Sequence, residues 1–326
     1  MEKTYFIFTL GCQMNVSDSQ KIAAKLERMG FKPTTEKNSP LIIVNSCSVR
    51  QKAVDRIWGK VNQWQKAKKK IWLTGCLLPT DRKKFAQKGI GYKNFYDDDF
   101  LKIVPKKTSV TAYLPIMTGC DNFCSYCAVP YTRGREKSRP LKDVLAEVKQ
   151  AIRDGYQEIL LLGQNVNSYQ HGLAKLLKKI DRLPGDFKFN FISSNPHDMT
   201  AEIIQTLAEL KKWPRELHLP LQSGDDEILH KMNRKYTSQQ YLDLIEKIRS
   251  KIKNLTLTTD IIVGFPGESQ KQFENTVKFC KKIKFDKAYI AQYSPRPGTA
   301  AAKLKDNLTQ KEKKRRWLKL EHLING

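Results

Sequence analysis

The sequence predicts an α/β protein in two parts. An open parallel α/β sheet spans residues 1–107, and a partial (β/α)6 barrel with a C-terminal helix spans residues 108–326. Three observations lead there. Short apolar runs rich in β-branched and aromatic residues alternate with helical patterns, at a repeat near the ~30 residues of a βαβ unit. Nearly every run ends in a segment carrying cysteine, Gly, Asn, Ser or Gln. The second part holds six strand–helix units, too few to close the common eight-stranded barrel.

In the first part, the runs at residues 5–10 (YFIFTL), 41–44 (LIIV) and 71–73 (IWL) each lead within a few residues to a cysteine: Cys12, Cys47 and Cys76. Helical patterns lie between them at residues 17–29 and 53–66. Parallel strands of an open sheet end on one edge, and that edge binds ligands. Cys12, Cys47 and Cys76 are therefore expected to converge. Buried cysteines are also an ordinary packing outcome. Recurrence at the same point of three successive units favours a three-thiolate iron–sulfur site. Residues 77–107 read as a short helix, a short strand near 94–96 and a linker around 105–107.

In the second part, strands are expected at 114–117, 158–162, 187–192, 216–221, 255–263 and 287–293. Helices are expected at 141–154, 172–182, 200–212, 238–252 and 270–283. The last helix, 309–325, opens with Thr309 and Glu312 in capping-box spacing and stops at Asn325-Gly326. The ends of barrel strands carry active-site groups. Here those ends are Cys120, Gly163-Gln164-Asn165, Ser193-Ser194-Asn195, Gln222-Ser223-Gly224, Asp260 through Glu268, and Tyr293 through Thr299. Strand-end placement makes Ser194, Gln222 and Asp260 candidates for cofactor contacts.

The segment GCDNFCSYCAVPYTRGREKSRP, residues 119–140, holds Cys120, Cys124 and Cys127. An odd number of thiols cannot pair internally, and structural zinc takes four ligands. Three thiolates on a cubane cluster leave one iron open for a substrate. The other reading is a ferredoxin-type carrier whose fourth ligand lies elsewhere. Cys280 sits in an apolar helical pattern and reads as a core thiol. The five histidines show no metal spacing and stay unassigned.

The formal charge is +26, from 59 Lys+Arg against 33 Asp+Glu. Such an excess suits a polyanionic partner, most simply nucleic acid, although scattered lysines also solvate a surface. Arg133, Arg135, Lys137 and Arg139 follow the cysteine segment directly, placed either to hold RNA phosphates or to be solvated. No apolar run approaches the ~20 residues of a membrane span. The start lacks a signal-peptide pattern, so a cytoplasmic, reducing location is expected, where cysteines read as metal-binding or reactive.

The C-x3-C-x2-C spacing with Tyr126 before its last cysteine resembles the radical S-adenosylmethionine enzymes. The resemblance implies that Cys120, Cys124 and Cys127 hold a [4Fe-4S] cluster whose open iron chelates S-adenosylmethionine and cleaves it to a 5′-deoxyadenosyl radical. It implies that Tyr126 lies near the adenine and that Gly163, Gln164 and Asn165 approach the methionine end. GCQMN at 11–15, NSCSVRQKA at 45–53 and GC at 75–76 narrow the resemblance to the methylthiotransferases. These carry a second [4Fe-4S] cluster, here on Cys12, Cys47 and Cys76. Ser48-Val49-Arg50 followed by Lys52-Ala53 is similar to the members acting on isopentenylated adenosine in tRNA.

The expected activity is thus methylthiolation at C2 of that adenosine in the anticodon stem-loop of tRNA. The expected protein is a monomer served by an electron donor such as a flavodoxin or ferredoxin and by a sulfur source. The alternatives are the same chemistry on threonylcarbamoyl-adenosine or a ribosomal protein, or a non-enzymatic iron–sulfur carrier or RNA-binding protein. The family usually continues into a small basic β-barrel, whereas this chain stops after the last helix. RNA binding is therefore expected to rest on the Lys/Arg surface and to weaken with salt.

Overall fold

The computed structural model describes residues 3–326 except 48, 50, 98 and 106, with residue 52 described in its backbone only. The chain opens with β1 (Thr4–Leu10), α1 (Gln13–Arg28), β2 (Lys32–Pro33), β3 (Leu41–Cys47), α2 (Gln51–Lys66), β4 (Lys70–Cys76), α3 (Pro79–Ala86) and β5 (Gly91–Tyr92). The five strands form one parallel sheet in the order β2-β1-β3-β4-β5. Central β3 is buried along its whole length, as a parallel strand covered on both faces must be. Its side chains alternate between two cores. Ile42 and Val44 pack with Val54, Ile57 and Val61 of α2 and Phe85 of α3. Leu41 and Ile43 pack with Ile22 and Leu26 of α1 and with Phe95, Phe100 and Ile103.

In this part the two largest departures from the sequence reading are at α1 and β5. Helix α1 starts at Gln13, not at residue 17. Its first turn, Gln13-Met14-Asn15-Val16, alternates polar and apolar residues instead of showing a helical repeat; what closes it is a capping box between Cys12 and Asn15. The strand expected at 94–96 lies at 91–92. Phe95 instead turns into the core beneath α1, and the Tyr96 hydroxyl donates to Asp18 at 3.1 Å. The subfamily-like residues Ser48 and Arg50, and Lys106 of the linker, lie outside the described residues.

The second part comprises β6 (Thr111–Pro115), β7 (Met117–Thr118), α4 (Val129–Arg133), β8 (Lys137–Ser138), α5 (Leu141–Arg153), β9 (Glu158–Leu162), α6 (Leu173–Asp181), β10 (Lys188–Phe191), α7 (Ala201–Glu209) and β11 (Glu216–His218). It continues with α8 (Asp226–Lys231), α9 (Ser238–Lys251), β12 (Thr256–Val263), α10 (Gln270–Ile283), β13 (Lys287–Gln292) and α11 (Gln310–Ile324). Two parallel three-stranded sheets, β10-β9-β6 and β11-β12-β13, supply the six staves of a partial barrel. Between them, Phe189 N–H donates to Lys212 O at 3.2 Å, and the Trp213 indole donates to Asn190 Oδ1 at 3.0 Å. Along β12 burial alternates strictly. Leu257, Ile261 and Val263 pack into the helix-side core, while Thr258, Asp260 and Ile262 take the other face, the lumen of the barrel.

The first stave does not run on to Cys120. It stops at Pro115, and β7 pairs antiparallel with β8. The cysteine segment is thus the long excursion of a hairpin. At its base Cys120 N–H reaches Gly134 O at 3.2 Å and Arg139 N–H reaches Ile116 O at 2.8 Å. A two-residue strand has no hydrophobic period to show in the sequence.

Polar contacts lock the two parts together. Ser17 Oγ donates to Tyr113 O at 2.9 Å. The buried Lys21 ammonium reaches Ile103 O at 2.5 Å and Glu147 at 3.0 Å. Arg296, from the loop after β13, is 1% exposed and meets Asp81 at 2.7 Å. It also donates to Gln51 Oε1.

Candidate functional site

The 120–127 loop is pinned from three sides. Ser125 N–H reaches Met232 O at 3.0 Å, Ser125 Oγ donates to Lys231 O at 2.7 Å, and Ala301 N–H reaches Ser125 O at 2.7 Å. The Asn233 amide donates to the carbonyls of Asn122 and Phe123 at 3.1 and 3.0 Å. Gly119 has φ +79°, and a Cβ there would lie 2.0 Å from Arg135 O. Only glycine fits both demands.

Each of the three thiols has an N–H donor. Asn122 Nδ2 lies 3.5 Å from Cys120 Sγ, Arg234 Nη1 lies 3.4 Å from Cys124 Sγ, and Val129 N–H lies 3.5 Å from Cys127 Sγ. Burial pushes the Cys127 thiol up to about 12, with Cys124 and Cys120 adding to the shift. Burial also raises Cys120. Thiols raised this way stay protonated until a metal displaces the proton. Donors aimed at sulfur suit thiolates that hold a cluster.

Arg234 was missed in the sequence, where it is one basic residue among 59. It also donates to Asn195 Oδ1 at 3.1 Å, which ties the cysteine loop to the end of the third stave. Tyr126 packs against the small core cluster of Ile228, Met232, Phe265, Tyr293 and Ala301. Its phenol is raised well above its ordinary range by burial, with the Arg234 charge opposing.

At the barrel mouth, Asn165 Oδ1, Ser194 Oγ and Gln222 Oε1 are buried without hydrogen-bond partners. Buried polar atoms are rarely left so. Three of them at the ends of three staves fit a polar ligand at the strand-end face of the barrel. Their neighbours are already engaged. Gln164 Oε1 accepts the Gly119 N–H at 2.6 Å. A Cβ on Gly163 would lie 2.6 Å from the Met117 side chain. Asn165 Nδ2 donates to Asp198 at 2.7 Å. Of Gly163, Gln164 and Asn165, the structure leaves an open polar atom on Asn165. Asp260 meets His218 Nε2 at 3.1 Å, and His218 Nδ1 lies 2.9 Å from Thr258 Oγ1. The sequence left His218 unassigned; the structure gives it a carboxylate partner on the lumen face.

In the first part, Cys47 and Cys76 are direct register partners at the ends of β3 and β4, and Cys12 caps α1 one residue beyond the start of its loop. A single carboxamide ties the edge together. Asn15 Oδ1 accepts from the Cys12 N–H at 3.3 Å and from its thiol at 3.5 Å. Asn15 Nδ2 donates to Asn45 Oδ1 and Ser46 O, both at 3.1 Å, and lies 3.9 Å from Cys76 Sγ. Asn45 returns bonds to Asn15 O at 2.7 Å and Ser19 Oγ at 2.8 Å. The glycines make room for this network, since a Cβ on Gly11 would lie 2.2 Å from Asn15 Oδ1.

Cys76 is pushed up to about 12 by burial, with Arg133 opposing and Cys47 and Cys12 adding. Among the described residues no group of three His, Cys, Asp or Glu is arranged to hold a single metal ion. A polynuclear cluster makes a different demand, one thiolate on each of three irons, and so needs the sulfurs apart. The signal for Asn15 and Asn45 lay in the sequence as an asparagine beside two of the three cysteine segments.

Of the four basic residues assigned to phosphate, two are engaged internally. Arg139 is 6% exposed, pairs with Glu147 at 2.6 Å and donates to Pro115 O at 2.6 Å. Arg133 is turned inward onto Asp18 at 2.7 Å and Cys76 Sγ at 2.9 Å. The free energy of burying an unpaired guanidinium is prohibitive, so both are held by these partners. Arg135 and Lys137 remain on the surface, with Arg135 paired to Asp121 at 2.7 Å. Cys280 lies buried in the core between α10 and its neighbours, as expected.

Comparison with known proteins agrees with this geometry. A family model described as the Radical SAM superfamily matches residues 114–280, and one described as Uncharacterized protein family UPF0004 matches residues 4–94. The chain is 40% identical to the tRNA-2-methylthio-N(6)-dimethylallyladenosine synthase of Carboxydothermus hydrogenoformans, over all of this chain and 84% of that one. It is 40% identical to proteins of the same name from Clostridium botulinum and Thermoanaerobacter pseudethanolicus, over 98% of this chain and 81% and 78% of theirs. Among solved structures, the fold is similar to the radical S-adenosylmethionine methyltransferase TsrM from Kitasatospora setae, with TM-score 0.65 at 13% identity over 93% of this chain and 77% of that one. The superfamily match over residues 114–280 and the 40% identity over the whole chain place it in the radical S-adenosylmethionine superfamily and, within it, in the methylthiotransferase family that includes the tRNA-2-methylthio-N(6)-dimethylallyladenosine synthases.

Proposed function

We propose that this chain methylthiolates C2 of N6-(dimethylallyl)adenosine at position 37 of tRNA. The observation that carries the reading is the pair of three-cysteine sets, one on the first sheet edge and one in the hairpin loop at the barrel mouth, with Arg133 of that hairpin reaching Cys76 of the sheet edge. In this reading Cys120, Cys124 and Cys127 hold one [4Fe-4S] cluster, and Cys12, Cys47 and Cys76 hold the other. The family's cofactors, [4Fe-4S] clusters and S-adenosylmethionine, supply reductive cleavage of the sulfonium and delivery of sulfur when bound.

The chain's own residues bind and orient. Asn165 Oδ1, Ser194 Oγ and Gln222 Oε1 offer acceptors or donors to the polar parts of S-adenosylmethionine. Tyr126, packed against the apolar cluster that includes Phe265 and Tyr293, gives an apolar flank that excludes water beside the cysteine loop. Asp260 on the lumen face, held by His218, is a further candidate contact. Arg135 and Lys137 present charge to the phosphates of the anticodon stem-loop. The reading includes a monomer working in the cytoplasm with a flavodoxin- or ferredoxin-like electron donor and a separate sulfur source.

The test is anaerobic reconstitution followed by assay on tRNA carrying the dimethylallyl group. The parent chain should take up about eight irons. Cys124→Ala should lose half of them and stop releasing 5′-deoxyadenosine. Cys47→Ala should keep that release and make no methylthio nucleoside by mass spectrometry. A Cys47→Ala chain that forms methylthio product at the parent rate overturns the ligand assignment. Methylthiolation of threonylcarbamoyl-adenosine instead overturns the substrate.

A further inference from the structure

Arg133 closes α4, six positions after Cys127, yet its side chain leaves its own domain. Its guanidinium is 10% exposed and lies in a cleft of about 750 Å³ between the two parts. Nε donates to Cys76 Sγ at 2.9 Å, and Nη2 donates to Asp18 Oδ2 at 2.7 Å. Asp18 is itself fixed by the Tyr96 hydroxyl at 3.1 Å. Asp18 is on α1, Cys76 ends β4, and Arg133 belongs to the other cysteine loop. One side chain therefore joins a residue of the barrel's cysteine segment to a thiol of the first sheet edge.

A guanidinium is permanently cationic and directional, and its fork fixes sulfur and carboxylate at once. Out of water, such a charge acts on its neighbours at far greater strength than on the surface. Hydrogen bonds to cluster sulfurs, net charge and burial set the reduction potential of an iron–sulfur centre.

We propose that Arg133 is a positioning residue of the first-domain centre, whose N–H···S bond to Cys76 raises that centre's reduction potential from across the domain boundary. Electron delivery to the sulfur-bearing site is then tuned by the same segment that builds the other site. The inference rests on the assignment of Cys12, Cys47 and Cys76 as cluster ligands.

The experiment uses the full chain carrying Cys120→Ala, Cys124→Ala and Cys127→Ala, reconstituted anaerobically, so that only the first-domain set can hold iron. Its midpoint potential is read by electron paramagnetic resonance during redox titration. Arg133→Gln should shift the potential down, Arg133→Lys should fall between it and the parent, and Asp18→Asn should shift it up, because the arginine charge is then less neutralised. A purely structural Arg133 would change iron retention without this ordered shift. Arg133→Gln titrating with the parent overturns the proposal. If Arg133→Gln fails to fold, the Arg133→Lys and Asp18→Asn pair decides, and both at the parent potential overturns it. A background chain that takes up no iron overturns the ligand assignment instead, and the iron count tells the two failures apart.

Discussion

Gly119 shows how much of the barrel's cysteine loop depends on single atoms. Its φ of +79° and the 2.0 Å approach of a would-be Cβ to Arg135 O leave no place for a side chain. Gly119→Ala should therefore lose about four of eight irons while the sheet edge of the first part keeps its own. A full iron count in that variant contradicts the loop geometry. Cys280 is the control among the thiols. Desolvation alone pushes it up to about 12, so at about pH 8 it is protonated and unreactive. Peptide mapping after iodoacetamide should find it unmodified in the folded chain and modified in urea. Labelling at the rate of exposed Cys12 would mean that the core around α10 is open.

At the scale of elements, caps and ion pairs decide where helices begin and how they dock. Helix α11 covers β13, where the Asn325 side chain bonds both the N–H and the C=O of Ala288 at 2.9 and 2.8 Å. Its first turn is held by Glu312, which is lowered to about 2, foremost by the hydrogen bond from Arg315 and also by that from Arg316. Arg316 in turn meets buried Glu268 at 2.7 Å. A depressed carboxyl contributes stability that is present above its free value of 4.5 and lost as pH falls toward about 2. The metal-free parent should lose thermal stability more steeply than Glu312→Gln across that window. Superimposable melting temperature profiles of the two chains would contradict the assignment.

For the whole molecule, the consequential contacts cross between the two parts. Arg296 and Asp81 are 1% and 3% exposed in their side chains and 2.7 Å apart. Removing one partner of a buried pair costs about 3–5 kcal/mol. Arg296→Ala should lower stability by about that amount in denaturant unfolding, and a loss below ~1 kcal/mol would show the clasp to be dispensable. The net charge of +26 acts at the same scale. tRNA affinity should fall steeply between low and moderate salt as counterions are released, and a flat response would argue against phosphate contacts on the Lys/Arg surface.

The strands of both parts, the two sets of three cysteines at strand ends and in the 120–127 loop, and the polar strand ends could be read from the amino acids alone. Apolar period, β-branching and cysteine spacing are local properties, and a parallel sheet turns local strand ends into one shared edge. The resemblance to known motifs added the chemistry. What local pattern could not encode was burial of polar groups. Arg133 and Arg139 stand in a run that looks like a solvated basic loop, and Asn15 stands as a lone polar residue between Met14 and Val16. Their partners, Cys76 and Asp18, Glu147, and Asn45, arrive from elements between 8 and 115 positions away. Only tertiary packing brings a charge out of water beside a specific sulfur or carboxylate, and it is there, in the low dielectric between the two parts, that its effect becomes large.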